Sequence, residues 1–318
     1  MRINIGIVGY GNLGKAVEKQ VVSNKDLNLI AIFSRRTILS QFGTPIEPFE
    51  NIQNFKRKID IMLLCGGSKN DLLFQTPQVL EHFDCINTFD THEKIIDEYK
   101  KLNEIAKKNQ HILIMSCGWD PGLFSIIRAT MYAISLNKST TFWGRGISMG
   151  HSDALRNIPN VIDAIEFTVP NKQAKNFAKR GIYKNTSLHE RECFVVANEK
   201  DATKIEYQIK NIPFYFKNQP TKVSFVSHEK LLKLKSKLFH KGEIIGFFKT
   251  NNGLKTNWSF SISMQSNPDF TAQIILAYIK AVINLSNNKM TGCFTPLDIP
   301  ASFLFDENKK DSVIKEFC

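Results

Sequence analysis

At 318 residues, 42% of them hydrophobic and 24 of them phenylalanine, the chain exceeds one domain of ~150 residues and is expected to fold as two. Its net charge of +12 is mostly lysine spread along the chain, with only nine arginines and no aromatic-interleaved basic groove or DNA-reading motif, so solubility accounts for the charge and nucleic acid is excluded as a partner. There is no run of ~18 apolar residues, no charged leader before an apolar core, and no C-x-x-C or metal-like spacing among Cys65, Cys85, Cys117, Cys193, Cys293 and Cys318; the expectation is a cytoplasmic protein with buried free thiols, no membrane contact and no metal.

The first element is the β-branched run Ile3 to Val8. It leads directly into Gly9-Tyr10-Gly11-Asn12-Leu13-Gly14 and then into the amphipathic stretch Lys15 to Val22. Strand, glycine-rich turn and helix in this order make a dinucleotide-binding unit rather than a bare glycine motif. Gly9 permits the tight turn, Gly11 lets the backbone approach a pyrophosphate, and Gly14 lets the helix pack on the strand. The pyrophosphate then accepts hydrogen bonds from the free amides at the helix start.

The next strand, Leu29 to Phe33, ends in Ser34-Arg35-Arg36, where an NAD enzyme places a carboxylate for the ribose 2′-hydroxyl. A hydroxyl and two guanidinium groups suit a 2′-phosphate instead, which makes NADP the expected cofactor. The competing reading of Arg35 and Arg36 is a solvated loop start. Strands at Ile61 to Cys65, Cys85 to Phe89 and Ile112 to Cys117 follow, with Lys94 to Lys108 as a helical crossover. Residues 1–120 therefore read as a Rossmann-type, doubly wound parallel α/β sheet. Cys65-Gly66-Gly67-Ser68, Thr88-Phe89-Asp90 and Cys117-Gly118-Trp119-Asp120-Pro121 lie at strand ends, where the nicotinamide half of the cofactor is expected.

Asp90 and Asp120 each follow an apolar strand and so face the same crevice. Paired carboxylates there would attract a substrate ammonium group and accept its proton as an imine forms. A helix cap at Asp90 and a plain Asp-Pro turn at Asp120 are the alternatives.

After Gly122 the pattern changes. A helix is predicted over Leu123 to Ile134, followed by β-type runs at Glu192 to Ala197, Ile205 to Ile209, Lys222 to Val226 and Trp258 to Met264, joined by loops. These predict a second, α+β domain over 121–264 with a mostly antiparallel sheet. Lys230, Lys233, Lys235, Lys237 and Lys241 alternate with Leu231, Leu232, Leu234 and Leu238, an amphipathic segment with a solvated lysine face. A strong final helix, Ala272 to Leu285, is expected to pack back on the first domain, completed by residues 265–318.

Three runs complete the reading: Gly118-Trp119-Asp120-Pro121-Gly122, Gly150-His151-Ser152-Asp153-Ala154-Leu155-Arg156 and Asn267-Pro268-Asp269-Phe270-Thr271-Ala272. With the glycine-rich turn and Ser34-Arg35-Arg36, they closely resemble the meso-diaminopimelate dehydrogenase family, from the first strand to the final helix. The resemblance implies NADP-dependent oxidative deamination of the D-centre of meso-2,6-diaminopimelate to L-2-amino-6-oxoheptanedioate and ammonia, as a homodimer; in reverse this makes the direct precursor of lysine. It also implies roles: Asp90 and Asp120 near the reacting amine, Trp119, Trp143 and the Met149-Gly150 backbone lining the pocket, Thr168, Arg191 and His240 on the distal carboxylate, and Asn267 as a further polar contact. Met149 stands where the family is expected to carry Gln. The rival readings are a two-domain NADP-dependent dehydrogenase of a sugar or aspartate-derived acid, which would lack the run from Gly150 to Arg156, and an NADP-binding sensor without chemistry.

Overall fold

The computed structural model describes residues 2–182, 186–213, 215–235 and 240–318, and at position 149 the backbone. The chain divides into two compact units, one of residues 1–126 with 268–318 and the other of residues 127–267.

The first unit is built on a seven-stranded sheet in which every pairing is parallel. Its strand order is Gly292–Phe294, Ile112–Ile114, Asp84–Asn87, Ile61–Leu64, Ile3–Val8, Leu27–Ser34, Ile46–Pro48. Side chains alternate across the sheet, so Ile61 and Leu63 enter one core while Met62 and Leu64 enter the other. The first core is closed by Ala16, Val17 and Val21 of helix Asn12–Ser23 and by Ile275, Ile279 and Val282 of helix Asn267–Asn287. The second is closed by Leu72, Val79 and Leu80 of helix Leu72–Leu80 and by Leu102 and Ala106 of helix Ile95–Asn109. Helices on both faces of a parallel sheet make the doubly wound architecture expected from the sequence. Two three-residue strands, Ile46–Pro48 and Gly292–Phe294, are additional.

Strand order reverses beside Ile3–Val8, which lies between Leu27–Ser34 on one side and Ile61–Leu64 on the other. At such a switch point the connections leave in opposite directions and open a crevice at the carboxyl ends, immediately beyond Val8.

The second unit carries two sheets rather than one. A four-stranded sheet runs Thr221–Phe225, His189–Ala197, Val161–Pro170, Gly146–Ile147, antiparallel except at its first pair. A three-stranded antiparallel sheet runs Lys255–Met264, His240–Lys249, Thr140–Trp143. The connections are also not loops alone: helices occupy Met149–Arg156, Lys172–Ala178, Ala202–Lys210 and His228–Lys235.

Residues 205–209 correct the strand reading outright. Ile205, Tyr207 and Ile209 satisfy a two-residue alternation, yet Ile205 and Ile209 are buried while Tyr207 is exposed, the signature of a helical i,i+4 stripe. Lys210 and Glu206 add an i,i+4 ion pair at 2.6 Å on the outer face. In the lysine-rich segment, Leu231 is the buried residue of helix His228–Lys235 and Lys233 pairs with Glu229 in water; Lys237 and Leu238 lie outside the described residues.

Cys65, Cys85, Cys117, Cys193 and Cys293 are buried free thiols and Cys318 is exposed. Among the described residues no helix is long and apolar enough to cross a membrane. Helix Asn267–Asn287 is integral to the first core, so Ile279→Ala, which empties a site 1% exposed, is expected to lower unfolding stability by about 2–5 kcal/mol, read as the shift in a urea midpoint.

Candidate active site

In the first unit the turn after Ile3–Val8 lines a cavity of about 530 Å³ with Ser34, Arg35, Arg36, Cys65, Gly66 and Gly67. Gly9 has φ +90°, in the left-handed region. A Cβ on Gly14 would stand 2.2 Å from the Gly9 carbonyl oxygen, so only glycine allows the helix to start this close to the turn. Gly11 faces the opposite condition, with nothing within 4 Å of its would-be Cβ. It is also the N-cap of helix Asn12–Ser23 and supplies no side-chain cap, which leaves the first amides free for an anion.

Arg35 and Arg36 are both exposed beside this cavity. The Ser34 hydroxyl accepts from the Arg36 backbone N–H at 3.0 Å, and Arg36 Nη2 donates to the Tyr10 carbonyl at 3.4 Å. Arg35 is paired with Asp71, whose second oxygen accepts from Gly67 N–H at 3.0 Å. Gln75 lines the same cavity with its Oε1 buried and unpartnered among the described residues. Burial pushes the Cys65 thiol up to about 12, so it borders the cavity as a neutral group.

Sequence reasoning missed Asp71 and Gln75, and it also missed Glu18. Glu18 lies on helix Asn12–Ser23 and is fully buried, with no cationic partner among the described residues. It accepts from Tyr10 Oη of the turn and from Ser40 and Thr44, the latter at 2.7 Å, in the loop that follows the arginines. Burial alone would raise its pKa, but the hydrogen bonds from Ser40, Tyr10 and Thr44 outweigh it and hold the carboxyl below its ordinary value.

Around the other strand ends, Ser68 and Asn87 tie the loops together. Ser68 Oγ accepts from Asp90 N–H at 3.0 Å. The buried Asn87 Oδ1 accepts from Phe89 N–H at 3.2 Å and Ser116 N–H at 3.1 Å, bridging the loop that carries Asp90 to the one that leads to Asp120. Asp90 is exposed and Asp120 half-buried. The run from Gly118 closes on itself: a Cβ on Gly122, φ +124°, would sit 2.0 Å from the Gly118 oxygen, and Leu123 N–H donates to that oxygen at 3.0 Å. Trp119 packs edge-on to the buried Phe124, ring centres 5.1 Å apart. Thr88 and Phe89 belong to the same set of loops, and Gly118 lies against Thr271 of the run beginning at Asn267.

The second unit gathers Trp143, Thr168, Arg191 and His240. Strand pairing sets Arg191 directly opposite Thr168, and Arg191 Nη1 donates to Thr168 Oγ1 at 2.6 Å. A Cβ on Gly144 would fall 1.9 Å from the Thr168 oxygen, which seats the Trp143-Gly144 corner on the same strand. Trp143 stacks on His189, ring centres 5.3 Å apart, and its backbone N–H donates to His189 Nε2 at 2.9 Å. His240 Nε2 lies 3.1 Å from the Ile147 carbonyl, to which it must donate, and Nδ1 is buried without a partner among the described residues. Burial lowers its pKa against the opposing pull of the Ile147 hydrogen bond, so the ring is neutral and offers an acceptor. Ser148 caps helix Met149–Arg156 by accepting from His151 N–H, exposing Gly150 at its start; the side chain of Met149 lies outside the described residues. Asn267 opens helix Asn267–Asn287.

A family model described as the diaminopimelic acid dehydrogenase C-terminal domain matches residues 118–266. The meso-diaminopimelate D-dehydrogenase of Ureibacillus thermosphaericus is 40% identical over 318 aligned positions, 98% of each chain. Among solved structures, C. glutamicum DAP dehydrogenase in complex with DAP aligns at TM-score 0.91 and 34% identity over 99% of both chains. An engineered D-amino acid dehydrogenase bound to NADP+ aligns at TM-score 0.86 and 32% identity, over 99% of this chain and 100% of that one. A Rossmann sheet with a glycine cradle and this kinship define an oxidoreductase of the amino-acid dehydrogenase class. Within it, the chain belongs to the meso-diaminopimelate dehydrogenase family.

His189 gives this unit a pH dependence. Burial, with the Arg191 charge adding to it, pushes its pKa from 6.5 down to about 4. Between those values the unfolded chain binds a proton that the folded one refuses, so stability falls as pH falls through the window and is unaffected above it. The melting temperature is expected to drop between pH 7 and pH 4.5, and to drop less in His189→Gln; equal slopes would assign the acid sensitivity elsewhere.

Proposed function

We propose that the protein catalyses reversible NADP-dependent oxidative deamination of the D-centre of meso-2,6-diaminopimelate, giving L-2-amino-6-oxoheptanedioate and ammonia. The full-length kinship with enzymes named for this substrate carries the assignment. The cofactor reading rests on the pocket itself. Its glycine cradle and free helix amides suit a pyrophosphate, Ser34, Arg35 and Arg36 suit a 2′-phosphate, and the orphaned Gln75 Oε1 offers an acceptor to a donor on the ligand. The likeness to a dehydrogenase bound to NADP+ supports the same choice. Gly9 to Gly14 and Ser34 to Arg36 would hold the adenosine diphosphate part, and Cys65 to Ser68, Thr88 to Asp90 and Cys117 to Pro121 the remainder.

Bound there, NADP+ supplies the hydride acceptor. Asp90 and Asp120 attract the reacting ammonium group and take its proton, leaving the amine electron pair free to form an imine that water hydrolyses to ammonia and a carbonyl. Trp119 of the first unit and, in the second, Trp143 and the Met149-Gly150 backbone are the further groups the family resemblance gives to the substrate. Arg191 binds the distal carboxylate, and its buried Nε, unpartnered among the described residues, is a donor that such a group would satisfy. His240 falls with it, but the neutral ring and accepting Nδ1 suit the distal ammonium better than the carboxylate. Asn267 adds a polar contact.

A homodimer fits the exposed Tyr132, Ile134 and Leu136 of the second unit, and the buried thiols fit the reducing cytoplasm. Run in reverse, the reaction yields the direct precursor of lysine.

The reading is tested by mixing the protein with NADP+ and, separately, LL-, meso- and DD-diaminopimelate and following absorbance of the reduced cofactor. Reduction with the meso isomer and none with the LL isomer is expected; no turnover with the meso isomer overturns it. Replacing Arg35 and Arg36 together with alanine is expected to weaken NADP+ binding by at least about a hundredfold while changing NAD+ far less, since each of the two lost charge-assisted hydrogen bonds contributes roughly 1.5–3 kcal/mol. Equal losses for the two cofactors would remove the pair from 2′-phosphate recognition.

A further inference from the structure

The run from Gly150 to Arg156 marks the chain as a family member, yet none of its side chains has a role in the chemistry above. Its surroundings assign it one. Strand Val161–Pro170 places Glu166 and Thr168 on one face, two residues apart, and helix Met149–Arg156 packs beside them. Glu166 is completely buried. Its Oε2 lies 3.2 Å from His151 Nδ1, its Oε1 accepts from Thr168 Oγ1 at 3.1 Å, and Arg191 Nη1 stands 3.5 Å from that same Oε1.

The direction of each hydrogen bond follows from chemistry. A guanidinium only donates, so Arg191 donates to the Thr168 hydroxyl; that hydroxyl then spends its one hydrogen on Glu166. As a carboxylate Glu166 only accepts, so His151 Nδ1 carries the hydrogen between them. The result is a directed chain from Arg191 through Thr168 to Glu166, with His151 closing its far end. His151 is itself wedged against Tyr215 and Phe216, ring centres 5.2 and 5.7 Å away. Ser152 holds the carboxylate's own backbone, its Oγ accepting from Glu166 N–H at 3.0 Å, and Arg156 donates to the Ala164 carbonyl at 2.8 Å. Three residues of the run thus grip one strand segment at Ala164 and Glu166.

We propose that Glu166, clamped by His151 and Ser152, is a positioning residue for substrate recognition: it fixes the Arg191 guanidinium through Thr168 so that Nε, unpartnered among the described residues, and Nη2 meet the distal carboxylate. This rests on the function proposed above. The buried carboxylate balances the partly buried guanidinium, which would otherwise be an uncompensated charge with no preferred direction. Thr168 acts as the link between them, its hydrogen already committed to Glu166.

The test compares wild type, Glu166→Ala, Glu166→Gln and His151→Asn, each loaded with NADP+. Glu166→Ala is expected to raise KM for meso-diaminopimelate at least about tenfold, the scale of a misplaced positioning group, with kcat and NADP+ affinity little changed. Calorimetric titration of the substrate into the NADPH-bound protein should show the same loss. Glu166→Gln, which keeps an acceptor for Thr168, should recover most of the affinity. His151→Asn should raise KM several-fold in the same direction, and it carries the test alone if Glu166→Ala does not fold. An unchanged KM in the folded variants overturns the proposal, as does a fall in kcat and NADP+ affinity that Glu166→Gln fails to rescue. Wild-type protein that neither binds nor oxidises the meso isomer would overturn the function itself, a distinct result.

Discussion

The first unit depends on one close approach, that of Gly14 to the Gly9 carbonyl. At 2.2 Å from that oxygen no Cβ is tolerated, so the helix Asn12–Ser23 begins directly above the strand end instead of after a longer loop. This brings its uncapped amides to the switch point of the sheet, between the carboxyl ends of Leu27–Ser34 and Ile61–Leu64. A larger residue at position 14 would move the helix away, and the amides, Arg36 and Gly66 would no longer border one cavity. The proposed anion site is therefore a consequence of packing, made by leaving space and donors at the start of a helix.

Each unit also hides an anion behind its arginines. Glu18 lies beneath the turn and ties Tyr10 to Ser40 and Thr44; Glu166 lies beneath the four-stranded sheet face and ties Thr168 to His151. Both are completely buried, and burial of a carboxylate is unfavourable unless hydrogen bonds replace its water. The two differ in how that is done. Glu18 has three hydroxyl donors and, among the described residues, no cation, so it neutralises neither arginine, although Arg35 pairs with Asp71; Glu166 stands 3.5 Å from the guanidinium it orients. The proposed 2′-phosphate site benefits from positive charge not spent on a buried anion, whereas the proposed site for one end of a zwitterion benefits from an arginine with a fixed direction.

What could be read from the residues follows from how far apart in sequence each feature is assembled. The glycine-rich turn and Ser34-Arg35-Arg36 are contiguous, so strand, turn and helix were legible, and the proposed cofactor preference rests on the same residues. Long apolar strands of the parallel sheet were equally plain. Ile46–Pro48 and Gly292–Phe294 were not, because three residues carry no period and their place is set by neighbours already in the sheet. Ile205 to Ile209 misled because residues at i, i+2 and i+4 satisfy both periods, and only the exposure of Tyr207 separates them. Glu18, Asn87 and Glu166 were invisible for a related reason. Each is a polar residue in an amphipathic context, where a solvated side chain is the ordinary outcome, and burial is decided by residues 22 to 29 positions away for Glu18 and Asn87.

The group proposed for the distal end of the substrate shows the same limit at its extreme. Trp143, Thr168, Arg191 and His240 span about a hundred positions, and no local pattern joins them; antiparallel register sets Arg191 opposite Thr168 in one sheet, while Trp143 and His240 lie on paired strands of the other. Register has a two-residue side-chain period, so a slip of one position would turn Thr168 and Glu166 to the other face together and leave Arg191 with neither. The grip of His151, Ser152 and Arg156 on residues 164 and 166 opposes that slip. A run that reads as a family signature is thus accounted for by the accuracy with which one strand must lie against another, and its order from Gly150 to Arg156 follows from the helical spacing that presents those three side chains to a single strand.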